Sequence, residues 1–387
     1  MNSAEGPNSS GPVLILGAGV NGLSVARELV LNGVPVVVVD RTDLGGGASA
    51  KSSRLIHGGL RYLEYGEFKL VRESLHERSR LLRLAPHYVK PLRLHIPVRR
   101  RSGGLIHAAL RFVGLGRVPR IQRLLETLRI PSERGLWAAR IGLTLYDWIA
   151  RGGGLPKHAV RRLGDDELPL DQRQYRWLCS YWDAQMFAPE RFCVALWRDT
   201  QQLGHKSGVP CELLTYHAAR LTDGGVLLTD VLAGEGGSSQ TILPSMIVNA
   251  TGAWGDLTLF SLPVDAPRLF GGTRGSHIIS RKHGLRQAIG EDGIYAEAAD
   301  GRLVFILPWG DAVLVGTTDE RFEGPPDEAI ATPEEIDYLI GMTNHVLPEV
   351  GLTLDDVDSH YSGVRPLPYV AAGRTGAISR DHAIDIR

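Results

Sequence analysis

Residues 12–40 read PVLILGAGVNGLSVARELVLNGVPVVVVD. Val13–Leu16 is a short continuous apolar run, and Gly17, Gly19 and Gly22 follow it in G-x-G-x-x-G spacing. Apolar residues then recur every three to four positions at Leu23, Ala26, Leu29 and Val30, and a second apolar run, Val36–Val39, ends on Asp40. The pattern predicts strand, turn, helix and strand, which is the setting a dinucleotide fingerprint requires. Gly17 permits the tight turn, Gly19 lets backbone amides approach a pyrophosphate at the helix N-terminus, and Gly22 allows close contact of helix and strand. Asp40 is placed to accept from a ribose hydroxyl.

NAD and FAD sites share this unit. After Asp40 the chain runs RTDLGGGASAKSSRLIHGGLRYLEYGEFKLV, a long polar loop suited to a flat ring lying against backbone. Further on, a short strand from Met246 ends in Asn249-Ala250-Thr251-Gly252, where small residues let a strand end approach a cofactor. Taken alone that segment is equally a strand followed by a turn; paired with the first fingerprint it favours FAD.

Length and composition set the bounds. The chain has 387 residues, beyond the roughly 250–300 at which a single core stops growing, so two domains are expected. It is 43% hydrophobic, as globular chains are, and its 43 Lys and Arg balance 43 Asp and Glu, which gives it no general attraction for nucleic acid. Cys179, Cys193 and Cys211 make neither a disulfide framework nor a metal-ligand spacing, so a reducing, cytoplasmic setting and no metal are expected. Residues 1–11 read as a flexible tail, and no run of about 18 uninterrupted apolar residues follows.

Eleven segments carry a resemblance: GAGVNG, SSRLIHGGLRYLEYGEFKLVRESLHER, LAPHYV, GLTLYDWIA, YWDAQM, VNATGAWGD, RGSHII, RLVFILPWGDAVLVGTTDERFEG, EEIDYLI, YSGVRPL and SRDHAIDI. In this order, from about residue 12 to the end, the sequence resembles the FAD-dependent glycerol-3-phosphate dehydrogenases. The resemblance implies an α/β fold, with a glutathione-reductase-like FAD-binding Rossmann domain (12–85 and 180–260) and a mixed-sheet α+β substrate domain (86–179 and 261–387). It implies oxidation of sn-glycerol 3-phosphate to dihydroxyacetone phosphate by hydride transfer to flavin N5, with electrons passed to a quinone.

That chemistry needs fixed cations for the phosphate and a group to take the proton of the 2-hydroxyl. By their motifs, Arg61 and Arg365 are expected at the active site, Arg365 also as a catalytic residue, with Tyr62 as a hydroxyl donor and Arg380 as a further substrate contact. Thr317, Thr318 and Asp319, which end the strand AVLVG, are expected in the substrate pocket; from composition alone they are an ordinary Asp-containing turn. His277 in RGSH is the expected base, since an imidazole titrates near working pH. In the flavin-contact loop, Ser52, Ser53, His57, Gly58 and Gly59 are expected to seat the ring, with Ala250, Thr251 and Gly252 at the other strand end. Pro308 and Trp309 read as packing, and residues 233–240 as a hairpin loop.

Residues 99–140 hold ten arginines against Glu126 and Glu133, net +8, with apolar residues for one helical face, and are expected to touch an anionic membrane surface peripherally. The expected location is therefore cytoplasmic, at the inner face of the membrane. Two departures stand against the family pattern. Arg274 replaces the family's lysine in KGSH, and the sequence ends at Arg387, before a GGKLTTYR-like segment with which the family continues. The expectation is a shortened chain that holds FAD weakly and turns over slowly. That form is a catalytically impaired flavin-binding remnant, and three other readings stand beside it: a working enzyme of the family, a related flavin oxidase of amines or amino acids, and a non-enzymatic flavin-binding remnant serving only as an interaction module.

Overall fold

The computed structural model describes residues 11–102, 135–164, 168–234, 237–262, 264, 266–298, 302–370, 378, 380 and 384–386. The expected tail (1–10) and most of the basic segment (103–134) lie outside the described residues.

The two apolar runs of the opening stretch form neighbouring strands of a four-stranded parallel sheet, in the order Met246–Asn249, Val13–Leu16, Val36–Val39, Cys211–Leu214. Val13–Leu16 and Val36–Val39 are buried throughout, because both faces of the sheet are covered. Val13, Ile15, Val36 and Val38 meet Leu23, Ala26 and Val30 of the helix Val20–Leu31 and Cys193 and Trp197 of the helix Pro189–Ser207. Leu14, Leu16, Val37 and Val39 point the other way, onto Val226 and Leu228 of a three-stranded antiparallel meander. The expected hairpin loop at 233–240 falls between two antiparallel strands of that meander, Gly225–Asp230 and Ser239–Ile242, with Ser239 and Gln240 already in the second strand and residues 235 and 236 outside the described residues.

A second, mixed sheet runs in the order Glu320–Arg321, Thr273–Ser280, Ala312–Gly316, Leu303–Trp309, Gly293–Glu297, Val89–Val98, Trp177–Met186, Leu55–Ile56. Ser359–Arg365 also pairs with Thr273–Ser280, and Ala159–Arg162 with Trp177–Met186. On one face, Ile278, Ile306 and Val313 pack under Leu285 and Leu339 of the helices His283–Ile289 and Pro333–Val346. On the other, Leu94, Tyr181 and Leu314 pack under Leu75 and Leu143 of the helices Phe68–Leu84 and Leu136–Ile149.

The partition at 85/86 and 179/180 does not follow these sheets. Leu55–Ile56 pairs with Ala184 and Gln185, so the loop after Asp40 has already entered the mixed sheet. Trp177–Met186 crosses the second boundary as one strand, because Val89–Val98 pairs with all of it. Among the described residues no helix is long and apolar enough to cross a membrane.

Candidate active site

At the nucleotide end the contacts are made by backbone. Gly17 has φ +102° and its amide donates to Val39 O at 2.8 Å. A Cβ there would lie 2.6 Å from Ala250 O, and one at Gly22 would lie 1.9 Å from Gly17 O. Strand, turn, helix and the 250–252 segment therefore touch without side chains between them. Gly19 caps the helix with extended backbone (φ −74°, ψ 176°), and the first turn carries no acidic residue to neutralise the positive helix end. Asp40 Oδ2 accepts from Ala18 N (2.7 Å) and Oδ1 from Thr42 N and Oγ1 (2.9 and 3.0 Å). The carboxylate expected at the ribose is thus tied to the glycine turn, with a lone pair remaining on Oδ2. Asn249 shapes the other strand end: Oδ1 accepts from Thr251 N and Oγ1 (3.2 and 2.7 Å), while Nδ2 donates to Gly255 O at 3.0 Å.

The loop that follows is held by polar contacts with distant segments. Arg54, buried and at φ +58°, donates from its two Nη atoms to Glu190 at 2.7 and 3.2 Å and also to Phe187 O at 3.0 Å. Its fork is committed to structure. Ser52 O accepts from Tyr361 OH at 2.7 Å, and Ser53 Oγ is 2.8 Å from His277 Nε2. Gly58 N donates to Tyr146 OH (2.9 Å) and Asp183 Oδ1 (3.2 Å), and Gly59 N donates to His57 Nδ1 (3.0 Å). His57 is exposed, yet its pKa is lowered, first by the protein packed around it, with Asp183 opposing and Arg380 and Arg78 adding to the fall.

Gly59, at φ +69°, turns the chain into the 3₁₀ helix Leu60–Tyr65, which carries Arg61 and Tyr62. Burial raises the Tyr62 pKa while the charges of Arg380, Arg61 and Arg365 pull it down. The charges of three guanidiniums act on one phenol, and Arg380 stands 5.6 Å over its ring. Arg365 ends the strand Ser359–Arg365 and crosses Gly275, where a Cβ would be 2.2 Å from Nη2. It donates to Thr317 Oγ1 at 2.9 Å and pairs with Asp319 Oδ1 at 3.4 Å. Burial first, then Arg380, lowers its own pKa against the pull of Asp319 and Tyr62.

His277 is buried and stacks on Tyr361 with ring centroids 4.7 Å apart. Burial, then the charges of Arg365 and Arg54, bring its pKa down to about 3, so the imidazole is neutral at working pH. Thr318 is turned inward: its hydroxyl donates to Glu335 Oε1 at 2.6 Å and accepts from Ser276 N at 2.9 Å. The hydroxyl expected in the substrate pocket is thus used within the chain, and the side chains of this turn that meet Arg365 are Thr317 and Asp319.

Several residues that organise the site escaped the sequence reading. Glu335 pairs with Arg274 at 2.9 Å and closes the capping box of the helix Pro333–Val346 with Thr332. Arg78, Tyr146 and Asp183 form a buried cluster under the loop. Each stands in a segment that carries the resemblance, but their spacing along the chain does not reveal which of them meet. Pro308 and Trp309 do pack as expected, with Trp309 lying under Arg54 and donating to Phe187 O.

A glycine turn at the C-terminal ends of parallel strands, with a second sheet presenting a cationic cluster, defines a dinucleotide-binding oxidoreductase fold. The residues fit FAD, since the turn presents a helix N-terminus with no acidic residue in its first turn and only the small Ser49 hydroxyl on the Val20 amide (3.0 Å), and the loop beyond it is anchored by its own amides. The chain belongs to the FAD dependent oxidoreductase family, whose model matches residues 12–382. It is 34% identical to a glycerol-3-phosphate dehydrogenase of Synechocystis sp., over 99% of this chain and 65% of that protein. It is 32% identical to a D-erythritol 1-phosphate dehydrogenase of Brucella abortus, over 97% of this chain and 67% of that one. Among solved structures, the glycerol-3-phosphate dehydrogenase of Bacillus halodurans complexed with FAD aligns with a TM-score of 0.64 at 19% identity, covering 94% of this chain and 58% of that one. The chain thus spans about two thirds, 65% and 67%, of the length of these two relatives.

Proposed function

We propose that this chain binds FAD and oxidises C2 of sn-glycerol 3-phosphate to dihydroxyacetone phosphate, with electrons passing onward to a quinone. The observation that carries this is the positive charge of Arg61, Arg365 and Arg380 acting on Tyr62, with Arg380 5.6 Å over its ring, at the end of the loop beginning at Ser52. Guanidinium forks match phosphate oxygens, and the relatives at 34% and 32% identity are named for phosphorylated polyols. Gly17, Gly19, Gly22 and Asp40 would hold the adenosine and pyrophosphate end, and Ser52, Ser53, His57–Gly59 and Ala250–Gly252 the ring end. When bound, the flavin supplies the acceptor for the hydride from C2.

The chain's own residues do the rest. The arginines fix the phosphate and so the rotation of C2. Tyr62, kept protonated by its raised pKa, remains a hydroxyl donor beside them. The proton of the 2-hydroxyl is taken by the neutral imidazole of His277, which Ser53 Oγ meets at Nε2; its pKa of about 3 makes it a weak base. Quinone reduction needs access to a bilayer, and the basic segment 99–140 is the proposed contact with an anionic surface.

The test is dye-coupled turnover of the FAD-loaded chain with glycerol 3-phosphate. Arg365→Lys keeps the charge and loses the fork, so KM rises about tenfold or more while bound flavin stays constant. An unchanged KM removes Arg365 from the phosphate site, and turnover of an amino acid in place of glycerol 3-phosphate overturns the substrate.

A further inference from the structure

Away from the cluster around Tyr62, the start of the helix Leu136–Ile149 and the strands Ala159–Arg162 and Trp177–Met186 line a groove of about 460 Å³. Leu136 and Val160 give it apolar lining, Trp137 and Trp177 two aromatic rings, and Arg101 and Arg140 two cations. Arg101 stands 5.1 Å from the centroid of the Trp177 ring, and Arg140 5.9 Å from that of Trp137. A guanidinium held by stacking is fixed in place with its in-plane N–H groups unspent. Among the described residues neither side chain has a hydrogen bond or a carboxylate partner, whereas Arg54, Arg78, Arg274 and Arg365 each have one.

His158 completes the lining. Asp147 Oδ2 accepts from its backbone amide at 2.9 Å and from Nδ1 at 2.7 Å. A carboxylate only accepts, so Nδ1 carries the hydrogen and Nε2 is left for a ligand, becoming a third donor toward an anion when the ring is protonated. The helix that starts at the groove has no acidic residue in its first turn, so its dipole adds to the positive charge there. The groove is also separate from the flavin loop. Tyr146, whose hydroxyl meets the Gly58 amide, lies nine residues beyond Trp137 on the same helix, roughly 13 Å at the rise of an α-helix.

We propose that this groove binds a mononucleotide, with the phosphate in the forks of Arg101 and Arg140 and on His158 Nε2, and the base against the tryptophan rings. Two unpaired cations call for an anion, and guanidinium forks match phosphate oxygens. Aromatic faces take a flat base by stacking, and the volume falls within the range of small-molecule sites. A bilayer meets protruding faces; these donors line a recess. The proposal does not rest on the membrane reading of residues 99–140, with which it shares Arg101 and Arg140, nor on the substrate of the flavin site.

Isothermal titration of the FAD-loaded full chain with AMP, adenosine and inorganic phosphate tests this. The expected Kd for AMP is about tenfold or more below that of either fragment, because only AMP uses both the cations and the rings. The double variant Arg101→Gln/Arg140→Gln weakens AMP binding about tenfold or more, and Trp137→Leu brings it toward the level of phosphate, while bound flavin and Tm hold. Arg365→Lys leaves AMP binding as it was. AMP binding that survives the double variant, or that is lost with Arg365→Lys, places the probe in the flavin site or the cluster around Tyr62 and overturns the proposal. Equal Kd values for AMP and phosphate reduce the groove to a simple anion site and overturn the nucleotide. If the double variant melts early, Arg140→Lys keeps the charge and loses the fork, and an unchanged AMP affinity there overturns the proposal equally. Absence of AMP binding, with flotation on anionic vesicles that the double variant abolishes, assigns the arginines to a membrane surface and overturns the groove as a ligand site.

Discussion

The parallel sheet and the mixed sheet both present polar groups at the ends of buried strands, and they do so with different materials. Around Gly17, Gly19 and Gly22 the work is done by backbone: turn, helix end and strand end approach each other because Cβ atoms are missing. On the mixed sheet it is done by long charged side chains, four of which have a carboxylate partner. Arg54 pairs with Glu190, Arg78 with Asp183, Arg274 with Glu335 and Arg365 with Asp319. Backbone presents uncharged dipoles and suits any pyrophosphate. Matched ion pairs fix individual loops in place, which suits discrimination among substrates.

The sharpest way to break this contrast is a substitution at Gly22. A Cβ at this position would stand 1.9 Å from a backbone oxygen, and no rotamer can relieve that. Gly22→Val should cost about 1–3 kcal/mol of stability through overpacking and push the turn off the helix end, so that purified protein carries almost no FAD. The cationic cluster would be untouched. Stoichiometric flavin in Gly22→Val would show that the mixed-sheet loop, and not the glycine turn, holds the cofactor.

The same contrast explains what could be read from sequence. Every part of the nucleotide unit is local: two continuous apolar runs, a helical period and three glycines within six residues, so pattern alone predicted strand, turn and helix where they stand. The fold of the second unit was legible only through its resemblance to a family, and its polar partners were not legible at all. Arg54 lies in the loop after Asp40, but its partner Glu190 lies 136 positions away. Gly58 was expected to touch the flavin, and the carboxylate that holds its amide lies 125 positions away. Thr318 was expected to face the substrate and instead joins Ser276 to Glu335. In each case the residue type was informative and the pairing was not, because one sequence records no contact between distant positions.

Among the matched pairs, Glu335 bears the most connections. Burial pushes its pKa up, but bonds from Thr318, Thr332 and Ser276 and the charge of Arg274 outweigh this and leave it lowered. A lowered carboxyl pKa means stability that is present above the 4.5 of an ordinary glutamate and is lost as pH falls through the folded-state value. Glu335→Gln should therefore cost about 3 kcal/mol near neutrality, because it leaves Arg274 without its buried counter-charge. The deficit should shrink as the wild type is itself titrated below pH 4.5. Denaturant melts of both proteins at several pH values test this; a deficit independent of pH would mean that Glu335 acts through the helix cap alone.

Arg274→Lys gives the smallest effect and probes whether geometry or charge matters in these pairs. The relevant contacts are Nη2 on Glu335 Oε2 at 2.9 Å and the guanidinium plane 5.5 Å over the Phe322 ring. Lysine keeps the charge at Glu335 but has no plane to lay on the ring and no fork. The loss should be about 1 kcal/mol, made up mainly of the stacking contribution, with KM and bound flavin unchanged, since Arg274 is committed to Glu335 and not to the cluster around Tyr62. A KM for glycerol 3-phosphate that rises with Arg274→Lys as much as with Arg365→Lys would place Arg274 in the anion site. The division between arginines that hold loops and arginines that hold substrate would then have to be redrawn.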